Sequence, residues 1–116
     1  MLNFFASWCV PCQQEHPEFV SFSVRHAQIG DAEVVSVVFN DTPAEAKAYF
    51  DKNGGDWPVI TDTAGRFAAV YGVSAPPETY LIDPDGIVRE KYIGAINSDF
   101  LDSRLTTFQQ ARAGGS

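Results

Sequence analysis

Cys9 and Cys12 are the only cysteines in the chain, and only Val10 and Pro11 separate them. Two thiols with none left over cannot build a disulfide framework, so they form a redox pair, half of a metal site or a small structural bridge. The short apolar run 2–6 leads straight into them, and after them Phe19, Phe22, His26 and Ile29 recur at three- and four-residue spacing. A strand therefore feeds through the cysteines into an amphipathic helix. Pro11 falls in the first turn of that helix, where its missing amide proton costs little. Pro17 is expected to kink the helix, and Gly30 is placed to end it in the left-handed conformation.

At a helix N-terminus the unpaired amides and the helix dipole favour an anion and can lower a thiol pKa from its usual ~8.5. Cys9 is expected there as the exposed attacking thiol, and Cys12, one turn further in, as the less exposed resolving thiol. A zinc site is the competing reading, with His16 four residues after Cys12 as a third ligand, but the chain has no second CxxC. Its other histidine, His26, lies on the apolar stripe and reads as a core or boundary residue. A structural bridge is disfavoured because so small a loop removes little chain entropy.

Residues 34–39, Val-Val-Ser-Val-Val-Phe, suit a strand covered on both faces. Thr42-Pro43-Ala44-Glu45 opens a second helix with a capping box and proline at its first position, and Asn53-Gly54-Gly55 closes it. A brief extended segment over 57–60 and a short helix over 64–71 follow, and Trp57 reads as a packing residue. Residues 78–83 and 87–93 form a hairpin across Asp83-Pro84-Asp85-Gly86. A last helix capped by Asn97 or Ser98 lays Leu101, Leu105 and Phe108 on one face. Residues 1–112 are expected to fold as one domain with 113–116 as a disordered tail, since 116 residues at 45% hydrophobic content suffice for one core. Eight Lys and Arg against fifteen Asp and Glu, net charge -7, exclude a nucleic-acid binder.

The run Leu2-Asn3-Phe4-Phe5-Ala6-Ser7-Trp8-Cys9-Val10-Pro11-Cys12, continued by Glu15-His16-Pro17, resembles the active-site segment of the thioredoxin superfamily. More narrowly, it resembles the membrane-anchored, extracytoplasmic TlpA, ResA and CcmG/DsbE group. Tyr71-Gly72-Val73 with Pro77-Glu78-Thr79-Tyr80-Leu81-Ile82-Asp83 resembles that group's second signature. The resemblance implies an α/β thioredoxin-like fold: a mixed sheet with core order 2-1-3-4 over the strands at 2–6, 34–39, 78–83 and 87–93. The third strand is antiparallel to the first, and helices cover both faces. It also implies a cis bond at Pro76-Pro77, whose loop would bind an extended polypeptide by strand addition.

Further implications concern the chemistry. Thioredoxin has a buried aspartate six residues before its first cysteine, where this chain has Asn3, so the proton of Cys12 needs another acceptor. Glu15 and Glu78 are the residues the resemblance offers, since a partly buried glutamate has a raised pKa. Trp8 is expected to shield the disulfide and, with Pro11, Pro76 and Pro77, to meet substrate. No metal or organic cofactor is implied; the redox group is the Cys9–Cys12 disulfide. The implied activity is dithiol–disulfide exchange with protein substrates, in the reducing direction, in cytochrome c maturation. Apocytochrome c or its haem-attachment chaperones would be the partners, a membrane thiol reductant the electron donor, and the protein a monomer. Members of the group usually carry an N-terminal anchor and a β-hairpin before the active-site strand, and neither is matched here. A redox-inactive peptide-binding module and an oxidant or peroxidase of the same fold are the alternative readings.

Overall fold

The computed structural model describes residues 1–114. Its elements run β1 (Leu2–Phe5), α1 (Val10–Ile29), β2 (Val35–Val38), α2 (Pro43–Asn53), β3 (Val59–Ile60), α3 (Arg66–Tyr71), β4 (Glu78–Ile82), β5 (Val88–Ile93) and α4 (Ser98–Gly114). The sheet order is β3-β2-β1-β4-β5. β1 and β2 are parallel in the register Phe4 to Val37, while β4 is antiparallel to β1, with Glu78 opposite Phe4. The expected 2-1-3-4 core is thus β2-β1-β4-β5. The segment at 57–60 adds an edge strand, because Ser36 and Val37 pair with Val59 and Ile60.

Alternation along β1 decides which side each helix takes. Leu2 and Phe4 point to one face and pack with Val37, Tyr80 and the α3 residues Ala68 and Tyr71. Phe5 points to the other, where it joins Val38, Ala46 of α2 and both cysteines. On that second face Phe19 and Phe22 of α1 meet Leu101 and Leu105 of α4 over Leu81 and Tyr92. Helices cover both faces, α1, α2 and α4 on one and α3 on the other. Phe4 and Phe22 are fully buried, each contributing roughly 2–3 kcal/mol by removal from water.

The capping expectations correspond to specific contacts. The Thr42 hydroxyl accepts from the Glu45 amide at 3.1 Å, with Pro43 opening α2. The Asn97 carbonyl and side chain accept from the Leu101 and Phe100 amides, which makes Asn97 rather than Ser98 the cap of α4. Gly30 ends α1 at φ 79°, and α1 is continuous through Pro17.

The strands are shorter than expected by a residue at one or both ends, and two helix boundaries differ. α3 begins at Arg66 rather than at 64 because the Asp62 carboxylate gathers the amides of Phe67 and Ala68, holding the preceding residues in a turn. α4 continues through Gly114, so residues 113 and 114 are helical rather than part of a tail; 115 and 116 lie outside the described residues. No helix among the described residues is long and apolar enough to cross a membrane.

Candidate redox site

Cys9 and Cys12 lie where the chain leaves β1 and enters α1, and they are joined as a disulfide with Cα atoms 5.2 Å apart. Cys9 is the N-cap: its Sγ accepts from the Cys12 amide at 3.2 Å and its carbonyl from the Gln13 amide at 3.1 Å. Dipole and amide therefore both converge on Cys9 Sγ, as its proposed thiolate requires. The expectation of an exposed Cys9 beside a less exposed Cys12 is corrected, since both residues are 4% exposed. Turning inward to cap α1 places Cys9 among Phe5, Ala6, Val38 and Ala46. What the site presents to solvent is Trp8 and Val10, 54% and 60% exposed, beside exposed Pro11.

The turn before Cys9 is braced. The Ser7 amide and hydroxyl both donate to Asp41 Oδ2, at 2.8 and 2.6 Å, and Gln13 Nε2 donates to the Ser7 carbonyl. Trp8 Nε1 donates to the Asn40 carbonyl at 3.0 Å, so the indole is fixed to the loop after β2 while its ring stays exposed. None of these partners was anticipated from sequence; Asn40-Asp41 after an apolar strand is the signal that could have found them.

Glu15, one turn beyond Cys12 on the buried side of α1, is 2% exposed. Burial pushes its carboxyl up to about 7, against the pull of hydrogen bonds from the Ile96 amide and Asn3. Those bonds are Asn3 Nδ2 to Oε1 at 2.9 Å and Ile96 N to Oε2 at 3.1 Å; Asn3 Nδ2 also reaches Thr79 Oγ1 at 3.2 Å. The residue that departs from the thioredoxin pattern, Asn3, is thus a direct partner of the carboxyl that replaces it.

Glu78 is buried on the opposite face. Its carboxylate accepts from Tyr80 Oη at 2.8 Å and pairs with Lys91 Nζ at 3.2 Å, under Tyr71 of α3. The structure therefore separates the two glutamates that sequence had offered together: Glu15 shares a face of the sheet with the cysteines, and Glu78 does not. The Pro76–Pro77 bond is cis. Pro77 is buried and Pro76 half-buried, with the Pro77 carbonyl accepting from Gly94 N at 3.0 Å. Because Glu78 lies opposite Phe4 in an antiparallel pair, this loop stands at the end of β1 from which the chain runs on to Cys9.

The histidines take structural places. Burial lowers the His16 pKa, and its Nε2 is 2.7 Å from the Gly54 carbonyl among Tyr49, Phe50 and Trp57. Trp57 itself donates to Ser36 Oγ at 2.8 Å, a packing role as expected.

Residues 1–107 match the family described as Redoxin. The chain belongs to the Redoxin family. Within curated sequences, it is 32% identical over 115 residues to the thiol:disulfide interchange protein DsbE homolog of Paracoccus denitrificans, covering 97% of this chain and 61% of that protein. It is 31% identical over 104 residues to the thiol-disulfide oxidoreductase ResA of Bacillus thuringiensis, covering 90% and 60%. The chain thus spans about three-fifths of the length of these Redoxin relatives. Among solved structures, the exposed lipoprotein thioredoxin of Streptococcus pneumoniae superposes with a TM-score of 0.76 at 26% identity, over 91% of this chain and 82% of that one. The fold is thioredoxin-like.

Proposed function

We propose that this chain is a protein thiol–disulfide oxidoreductase that works as a reductant. The observation that carries the reading is the Cys9–Cys12 disulfide at the N-cap of α1, with a buried carboxyl of raised pKa one turn behind it on the same side of the helix. In the reduced protein Cys9 Sγ, favoured as thiolate by its cap position, attacks one sulfur of a substrate disulfide and releases the other as a thiolate. Cys12 then gives its proton to Glu15 and attacks Cys9 Sγ. The Cys9–Cys12 bond forms, the mixed disulfide breaks and the second substrate sulfur leaves as a thiolate. Two electrons pass to the substrate. A reducing dithiol reverses the sequence, and Glu15 returns its proton to Cys12.

The exposed faces of Trp8, Val10 and Pro11, with the Pro76–Pro77 loop near them, suit an extended polypeptide as substrate. The resemblance to the DsbE and ResA group supports a place in cytochrome c maturation on the extracytoplasmic side of a membrane. There the chain would keep apocytochrome or chaperone cysteines reduced, with electrons drawn from a membrane thiol reductant. Glu78, held by Tyr80 and Lys91 on the far face, also accepts from the Ser74 amide and so acts through the loop that precedes the cis-proline rather than on Cys12.

The test is the equilibrium reduction potential of the Cys9–Cys12 couple, followed by Trp8 fluorescence in glutathione and dithiothreitol buffers, with Cys9→Ser and Cys12→Ser as controls. A reversible two-electron transition well below the glutathione poise, absent from both variants, is expected. A potential near the ~-120 mV of strong oxidants reverses the proposed direction, and no reversible transition leaves only a peptide-binding module.

A further inference from the structure

Asn3 is 5% exposed and spends Nδ2 on two acceptors at once, Glu15 Oε1 and Thr79 Oγ1. An ionised carboxylate only accepts hydrogen bonds, whereas a protonated one also carries a donor that needs an acceptor when buried. Glu15 must pass between these states in place if it takes the proton of Cys12. Of the three groups joined in this network, the Ile96 amide can only donate. Thr79 Oγ and the Asn3 amide can each do either.

We propose that Asn3 is a positioning residue whose side-chain amide turns over with the protonation of Glu15. Nδ2 donates to the carboxylate, and Oδ1 accepts from the carboxylic acid. The inference rests on the reading of Glu15 as the proton acceptor of Cys12. A half-turn about the terminal torsion exchanges Oδ1 for Nδ2 within the same volume. Thr79 then reverses as well: its oxygen accepts from Nδ2 in the ionised state, and its O–H donates to Oδ1 in the protonated state. Glu15 and Thr79 each keep a hydrogen bond to the Asn3 amide in both states, and after the half-turn Nδ2 takes the place that Oδ1 held, which solvent reaches, and donates to water there. An aspartate at position 3 could not do this, because its ionised form is acceptor-only and would face Glu15 with a second negative charge.

The groups packed around Glu15 leave the assignment clear. Its hydrogen-bonding partners from β1 and from the segment before α4 are the neutral Asn3 side chain and the Ile96 amide. On α1, Cys12 lies one turn before it, and Glu18 is engaged by the Ser98 amide at 2.9 Å. From β5, Tyr92 stands opposite Thr79 and is bonded to Glu90, which pairs with Arg104 of α4. Glu78 and Lys91 pair on the other face of the sheet.

The experiment is a pH titration of the oxidised chain, with Glu15 Cδ and the Asn3 side-chain Nδ2 and Hδ2 signals followed together by NMR. The Asn3 signals are expected to move with the same midpoint as Glu15 in the native protein and to stay fixed in Glu15→Gln. Asn3→Asp is expected to raise the Glu15 midpoint by about one pH unit, tenfold in proton affinity, and to move the pH profile of mixed-disulfide resolution equally. Asn3 signals that stay still while Glu15 titrates overturn the proposal, and this native-protein readout does not depend on any variant folding. If Glu15→Gln leaves the pH profile of resolution unchanged, the acceptor reading of Glu15 fails on that readout alone, whatever the Asn3 signals show.

Discussion

Burial without a counter-charge makes the ionised form of Glu15 costly, and the cost appears as pH-dependent stability. Its carboxyl ionises near 4.5 in the unfolded chain and near 7 in the folded one. Over that interval the folded state holds a proton that the unfolded state has lost. The contribution is therefore fully present below about 4.5 and is lost as pH rises towards 7. Glu15→Gln is expected to gain roughly 2 kcal/mol on the native protein between pH ~5 and ~8, read as the difference in urea unfolding free energy at the two values. Parallel profiles would mean that the carboxyl is solvated. At this scale Glu15 was legible, because three residues beyond Cys12 is one helical turn. Its partner was not: a lone asparagine in the apolar run 2–6 does not disclose which face of the strand it takes or which helix lies over it. The inward Cys9 was hidden for a related reason, since capping directs its sulfur towards the helix and nothing in the local sequence weighs that against exposure.

At the scale of elements, local chemistry carries most of the information. Thr42, Asn97 and Gly30 stand where their side-chain and backbone preferences place them, and each bounds a helix. Thr42→Ala is expected to cost about 1 kcal/mol in urea unfolding through loss of the cap on α2. Gly30→Ala should cost about 1 kcal/mol by forcing a Cβ into the left-handed region. An unchanged midpoint in either variant would show that the helix end is held by packing alone. β3 was less legible, because a two-residue strand exists only through pairing with Ser36 and Val37, a partner more than 20 residues away. The start of α3 escaped for a similar reason, being set by the Asp62 side chain rather than by helix propensity.

Across the whole molecule the far end of α1 is tied to α4 by charge. Arg25 Nη2 and His26 Nε2 both meet Asp102, at 2.6 and 2.7 Å, while His26 Nδ1 meets Asp31, which also accepts from Gln109 of α4. Asp102→Ala is expected to cost about 1–2 kcal/mol in thermal unfolding. It should leave the reduction potential unchanged, because α1 is 20 residues long and Cys9 caps its opposite end. A shifted potential would reveal coupling along the helix. At the redox end, two sulfurs set below the surface and flanked by a fixed, exposed indole behave like a recessed electrical contact. A plug of the right shape can seat in it, whereas small thiols in bulk solution meet mostly insulation. Discharge into a surrounding pool of small thiols is then slow, and the fast route belongs to the partner that fits.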